Sequence, residues 1–179
     1  MYSNNVFPAA PPTATRSIWP VDPATRLGPV ISGRQRESIA QAVEGALGRG
    51  ARLAAGGTYA IAERGHFLRP TILADVDRSD PVARDEIFGP VLVVLAHEGD
   101  EDAIAAANDS EYGLAGAVWS ADRDRALSVA ARMDTGQVDI NGAAFNPLAP
   151  FGGWKNSGLG RELGHIGIEE FTELTSVQL

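Results

Sequence analysis

The 179-residue chain contains no cysteine. That absence excludes a disulfide framework and a thiolate metal site, and it leaves no sulfur nucleophile for covalent catalysis. There are three histidines, His66, His97 and His165, and none lies three or four positions from another. Zinc needs three or four converging ligands, so no metal is expected, and the three read as surface or loop residues. Long apolar runs are missing too. A membrane-spanning helix needs about 20 such residues, and no segment approaches that. Basic residues are scarce, with a net charge of −8 and an isoelectric point near 4.8. A nucleic-acid partner needs clustered Lys and Arg, so none is expected. The N-terminus lacks the charged start and apolar core of a secretion signal, which makes a cytoplasmic location the default.

What is present is ordinary for a globular chain. Apolar residues make up 44%, enough to bury a sizeable core. Residues 1–27 stand apart. Pro8, Pro11, Pro12, Pro20 and Pro23 break helices and donate no ladder bonds, so this stretch is expected to be a disordered or loosely packed arm. From Gly28 onward the pattern is regular. Ser32 and Gln35 have capping-box spacing, and Ile39, Val43, Ala46 and Leu47 recur at helical spacing up to Gly50. Strands are predicted at Ala51–Ala55, within Phe67–Val76, and at Pro90–Ala96. The last is a continuous apolar run, whose two faces should both be covered. Ser79 or Asp80 should cap a short helix reaching Asp85, Asp100 another helix, and Asp122 a third. Strands at Leu114–Trp119 and Gln137–Asn141 flank the Asp122 helix. Residues 142–164, rich in Gly and Pro, read as loop. A helix near Ile166–Leu174 and a last strand at Thr175–Leu179 follow. Alternation of strands and helices predicts an α/β fold with a mostly parallel twisted sheet flanked by helices.

Few residues suggest chemistry. Glu86 and Phe88 sit just before the buried run. A carboxylate there can accept from the hydroxyls of a ribose, and an aromatic two positions on can lie against a sugar or nicotinamide ring. A surface Glu beside a core Phe is the commoner reading of that spacing. Phe145, Phe151 and Trp154 lie among glycines and prolines. They can line an apolar tunnel or pin the loop to the core, again the commoner case. Glu162, beside Arg161, reads as a surface pair. Gly158, Gly160 and Gly164 lack the spacing and preceding strand of a dinucleotide fingerprint, and neither a P-loop nor a serine-hydrolase elbow is found.

Taken in order, the motifs Asp22-Pro-Ala-Thr-Arg-Leu-Gly-Pro-Val-Ile-Ser32, Pro70-Thr71, Glu86-Ile-Phe-Gly-Pro90, Asn108-Asp-Ser-Glu-Tyr-Gly-Leu114, Gly136 with Asn141-Gly142, and Pro150-Phe-Gly-Gly153 through Gly158-Leu-Gly-Arg-Glu162 resemble the C-terminal part of the catalytic domain of NAD(P)-dependent aldehyde dehydrogenases. The resemblance runs from about Asp22 to Leu179. It implies an oxidoreductase of small aldehydes using NAD or NADP. Glu86 then corresponds to the carboxylate on the nicotinamide ribose and Phe88 to the aromatic beside the nicotinamide. Phe145 and Phe151 match substrate-tunnel aromatics, and Glu162 a proposed proton relay. In that family a cysteine thiolate attacks the aldehyde to give a thiohemiacetal, hydride passes to the cofactor, and water activated by a glutamate releases the acid. The cysteine, the base and the dinucleotide domain are expected upstream of the matched region. The chain therefore reads as a partial catalytic domain (28–174) with an oligomerisation strand (175–179), inactive alone and a poor binder of cofactor by itself. It would work with a complementary dehydrogenase half, or serve as a non-catalytic module that assembles with itself or a partner.

Overall fold

The computed structural model describes residues 26–58 and 65–179. The expected arm at 1–27 lies almost wholly outside them. The chain forms two compact units, Met1–Leu95 and Ala96–Leu179.

In the first unit, α1 (Gly33–Gly48) begins where the sequence places it: Ser32 Oγ accepts from the Gln35 amide at 3.1 Å. Its inward stripe, Ile39, Val43 and Ala46, is buried, following the 3.6-residue period. Strands β1 (Arg52–Ala55), β2 (Thr71–Ala74) and β3 (Val91–Val93) form a sheet in that order. β1 runs antiparallel to β2, with an irregularity between Leu53 and Ala55, while β2 and β3 are parallel. A short helix, α2 (Pro81–Arg84), lies between β2 and β3 in sequence and is capped by Asp80, whose Oδ1 accepts from the Val82 amide at 2.9 Å. Val43, Ala46, Leu73 and Val82 make the core, with Ile87, Val91 and Val93 packed against it. Burying a side chain such as Leu73, fully enclosed here, contributes about 1.5–3 kcal/mol. The apolar run at 90–96 is covered on one face only. Val91 and Val93 turn to the core, while Leu92 is 58% exposed. β3 is the edge of a three-stranded sheet, and alternation along an edge strand turns every second side chain away from the core.

The second unit contains α3 (Gly99–Asn108), β4 (Tyr112–Gly113), β5 (Ala115–Val118), α4 (Arg123–Ala130), β6 (Gln137–Ile140), β7 (Trp154–Lys155) and α5 (Gly164–Glu169). β5, α4 and β6 make the predicted βαβ unit, with β5 and β6 parallel in register from Ala115↔Gln137 to Val118↔Ile140. β4 and β7 pair antiparallel. Asp122 caps α4 as expected, its Oδ1 accepting from the Asp124 and Arg125 amides. Asp100 does not cap α3. Asp102 reaches back to the Glu98 amide at 2.7 Å, while Asp100 takes a bidentate ion pair from Arg125, at 2.8 and 2.5 Å. Glu101 does the same with Arg132, both contacts 2.6 Å. These pairs tie α3 to α4 and to the turn after it.

The fold is thus α/β, with its parallel pairs split between small sheets rather than gathered into one. The last helix stops at Glu169, earlier than its sequence pattern predicts. Residues 175–179, expected to form a strand, adopt none within the described chain. No helix of the described residues is long and apolar enough to cross a membrane.

Candidate functional site

The sequence-predicted residues fall into two groups, one on each unit. Glu86 and Phe88 lie on the turn between α2 and β3. Both are exposed, and Phe88 has 73% of its surface free. It is therefore not the core aromatic that its spacing suggested. Its φ is 51°, in the left-handed region, which is costly for a bulky residue. The neighbouring residues explain how the turn holds. Ile87 packs on the core cluster. Gly89 lies against Ile39 so closely that a Cβ there would overlap the Ile39 side chain. The Gln35 carboxamide donates from one nitrogen to two carbonyls, Ile87 O and Phe88 O, each at 3.1 Å. The capping-box pattern had assigned Gln35 a local partner; only the Ser32 half of that box forms. Ser32 and Gln35 gave a signal for a helix start, and nothing in the sequence linked Gln35 to a turn more than 50 positions away.

Glu86 borders an open recess of about 350 Å³, shared with Ser38, Gln41, Arg49 and Pro81. On its wall Arg49 forms a bidentate ion pair with Asp80, Nε and Nη2 each 2.7 Å from a carboxylate oxygen. The Arg49 hydrogen bond, with help from the Val82 amide, holds the Asp80 carboxyl below the usual carboxylate range, against the opposing effect of burial.

On the second unit, Phe145, Phe151 and Glu162 come together. The two phenyl rings meet edge to face, with centroids 6.3 Å apart and planes at 73°, a favoured aromatic geometry. Phe145 is 61% exposed, so the pair extends outward from the loop instead of into the core. Phe151 and Glu162 exchange backbone hydrogen bonds of 2.7 and 2.6 Å across an isolated bridge. Arg161 does not turn to Glu162 as a surface pair. Its Nη1 donates to the carbonyls of Gly153 and Gly160, which closes the glycine loop. An open recess of about 260 Å³ runs along Phe151, Arg161, Glu162, Glu170 and Phe171. The loop is fixed at its base by Gly136, where a Cβ would overlap the Gly152 carbonyl. Asn141, at φ 53°, pairs its side-chain amide with both backbone groups of Ser120 at 2.9 Å, joining the ends of β5 and β6.

Of the three histidines, His97 and His165 are exposed as expected. His66 is half-buried and its Nδ1 is enclosed without a hydrogen-bond partner. Among the described residues no group of three or more His, Asp or Glu is placed to hold a metal.

The sequence profile of the aldehyde dehydrogenase family matches residues 12–177. The chain belongs to that family. Geranial dehydrogenase of Castellaniella defragrans is 49% identical over 160 residues, covering 89% of this chain and 33% of that protein. The 3-succinoylsemialdehyde-pyridine dehydrogenase of a Pseudomonas species is 44% identical, with 88% and 34% covered. Among solved structures, a Mycobacterium tuberculosis aldehyde dehydrogenase complexed with NAD+ superposes with a TM-score of 0.80 at 46% identity, over 85% of this chain and 32% of that one. A cysteine-to-alanine variant of a Pseudomonas syringae aldehyde dehydrogenase, complexed with NAD+ and octanal, gives 0.80 at 43% identity, over 84% and 31%. The chain therefore spans about a third of the length of the relatives it matches.

Proposed function

We propose that this chain provides two of the surfaces that an aldehyde dehydrogenase needs, one facing the nicotinamide end of NAD or NADP and one lining the path of a small aldehyde. The observation that carries the first is Phe88, exposed in a left-handed turn that three neighbouring contacts hold. Strain kept at an exposed aromatic points to a ring displayed for a ligand rather than one buried for stability. Glu86, two positions earlier and also exposed, carries carboxyl oxygens that accept hydrogen bonds and suit the paired hydroxyls of a ribose. These residues fit the nicotinamide ribose. Among the described residues, no glycine-rich turn opening a helix fits the pyrophosphate. When bound, the nicotinamide accepts a hydride from the substrate. The part of this chain is to orient the ring and the sugar.

On the second unit, Phe145 and Phe151 form an apolar wall suited to an aldehyde's hydrocarbon portion. Glu162, which shares a recess with Phe151, is the carboxylate that would hold or pass a proton. With no cysteine in the sequence, the chain cannot form the thiohemiacetal with an aldehyde, and a hydroxyl without a paired base does not substitute for a thiolate. Turnover therefore requires a complementary polypeptide carrying the nucleophile, the base and the dinucleotide fold. A second reading, a non-catalytic module that associates with itself or a relative, is favoured by the exposed apolar residues Phe171, Leu174, Val177 and Leu179.

Two contacts to one ribose give little affinity once association entropy is subtracted, so the test uses millimolar cofactor. Saturation-transfer NMR with NAD+ should show the nicotinamide and ribose protons in contact with the wild-type chain. That transfer should vanish in Phe88→Ala and weaken in Glu86→Gln. Transfer that neither substitution alters would place any cofactor contact elsewhere and sink the first surface.

A further inference from the structure

We infer that Gln35 is a positioning residue for the Glu86–Phe88 turn, fixing the left-handed backbone that displays Phe88. The inference rests on the reading of that turn as the cofactor-facing surface, and it names what makes the turn rigid. Successive carbonyls along an extended strand point in opposite directions. Those of Ile87 and Phe88 both receive the Gln35 Nε2 at 3.1 Å, which requires the chain to turn between them. The turn is made at Phe88, with φ of 51°. A carboxamide nitrogen with two protons is suited to such a pair of acceptors. Gln35 is itself held, because its amide donates to Ser32 Oγ in the first turn of α1. One residue thereby starts the helix through its backbone and fastens the turn through its side chain. Ile87, on the core cluster, and Gly89, against Ile39, fix the two flanks; Gln35 is the hydrogen-bond donor between them.

Substitutions separate this role from that of an ordinary surface tie. Gln35→Glu keeps the shape and removes both donors, Gln35→Met removes them without adding charge, and Gln35→Lys restores a donor. Glycine enters the left-handed region freely. If Gln35 acts by holding Phe88 there, its loss should matter less when residue 88 is glycine. The cycle is measured on the full chain by urea unfolding followed by circular dichroism. Losing hydrogen bonds of this kind lowers the folded-to-unfolded ratio about tenfold. We expect that loss for Gln35→Glu and Gln35→Met with Phe88 present, a loss of about threefold or less in the Phe88→Gly background, and recovery in Gln35→Lys. Equal losses in both backgrounds, or no loss with Phe88 present, would overturn the assignment. Should the Glu variant fail to fold because of its charge, the Met variant decides. A second readout is saturation transfer from the chain to the nicotinamide protons of NAD+, expected to fall several-fold in Gln35→Met and return in Gln35→Lys; unchanged transfer in Gln35→Met counts against positioning. Absence of transfer in the wild type would defeat the cofactor reading alone, because the unfolding cycle judges Gln35 without cofactor.

Discussion

At the scale of single residues, two residues each take part in a helix start and in a contact far away in sequence. Gln35 is one case and Asp80 another. Asp80 caps α2 through the Val82 amide and holds Arg49 through two contacts of 2.7 Å, while only 8% of its surface is exposed. Removing a helix cap of this type costs about 1–2 kcal/mol, and the half-exposed Arg49 adds little beyond that. Asp80→Ala should therefore lower the urea midpoint, and Asp80→Asn, which keeps a cap acceptor, should lower it less. Equal effects would show that the cap contributes nothing. The pH dependence has a definite sign. The Asp80 carboxyl lies below its ordinary range because Arg49 donates to it, so the unfolded chain binds its proton first as acid is added. The stabilisation is complete above the unfolded value, about 3.9, and is lost as pH falls through the lower folded one. Asp100 and Glu101 are lowered by Arg125 and Arg132 in the same direction. Acid should weaken wild type more steeply than Asp80→Asn, a comparison that melting curves at pH about 3 and 5 make directly.

At the scale of elements, the helices were the more legible in sequence because their signals are local. Ser32, Asp80 and Asp122 each stand where a cap is needed, and each caps the element expected. Asp100 misled because two acidic residues could fill the same role; Arg125, 25 positions away, draws Asp100 off while Asp102 takes the backbone amide. The apolar run at β3 misled for a related reason. Composition shows that a strand is apolar, but what covers its second face is a tertiary fact, and Leu92 is left exposed. At the site, Glu86 and Phe88 were visible as a pair and Phe145 and Phe151 as loop aromatics, whereas the meeting of the two rings was not. The exposure of Phe88 was not visible, since positive φ at an aromatic depends on partners brought by α1. The sheet's own stability is a clearer matter. Leu73 of β2 is fully enclosed among Val43, Ala46 and Val82. Leu73→Ala should cost about 2–5 kcal/mol, a large part of what a small domain has. Loss of the β2 and α1 amide protection in hydrogen exchange would show it, whereas Leu92→Ala, on the open face, should change protection little.

At the scale of the whole molecule, the decisive quantities are a deficit and an excess. The deficit is the nucleophile. With no cysteine, the purified chain mixed with NAD+ and a panel of aldehydes should give no rate above the blank, and a steady rate would overturn the account of the chemistry. The excess is exposed apolar surface. On the first unit it includes Leu92 and Val94; on the second, Trp119, Phe145, Leu148, Leu159, Phe171 and Leu174. Monomers rarely expose contiguous patches beyond a few hundred Å², and a chain covering about a third of its relatives leaves surfaces that the remaining two-thirds of such proteins have the material to cover. We expect the chain to self-associate, or to bind a polypeptide bearing the complementary portion. The net charge of −8 opposes association between identical copies at low salt, because like charges repel until screened. Self-association should therefore strengthen as salt rises, whereas pairing with a partner of opposite charge should weaken. Light scattering coupled to size exclusion, at low and at high salt, separates the two. A clean monomer at both, at concentrations where an apolar interface would have formed, would mean that these faces are closed in solution by the chain itself.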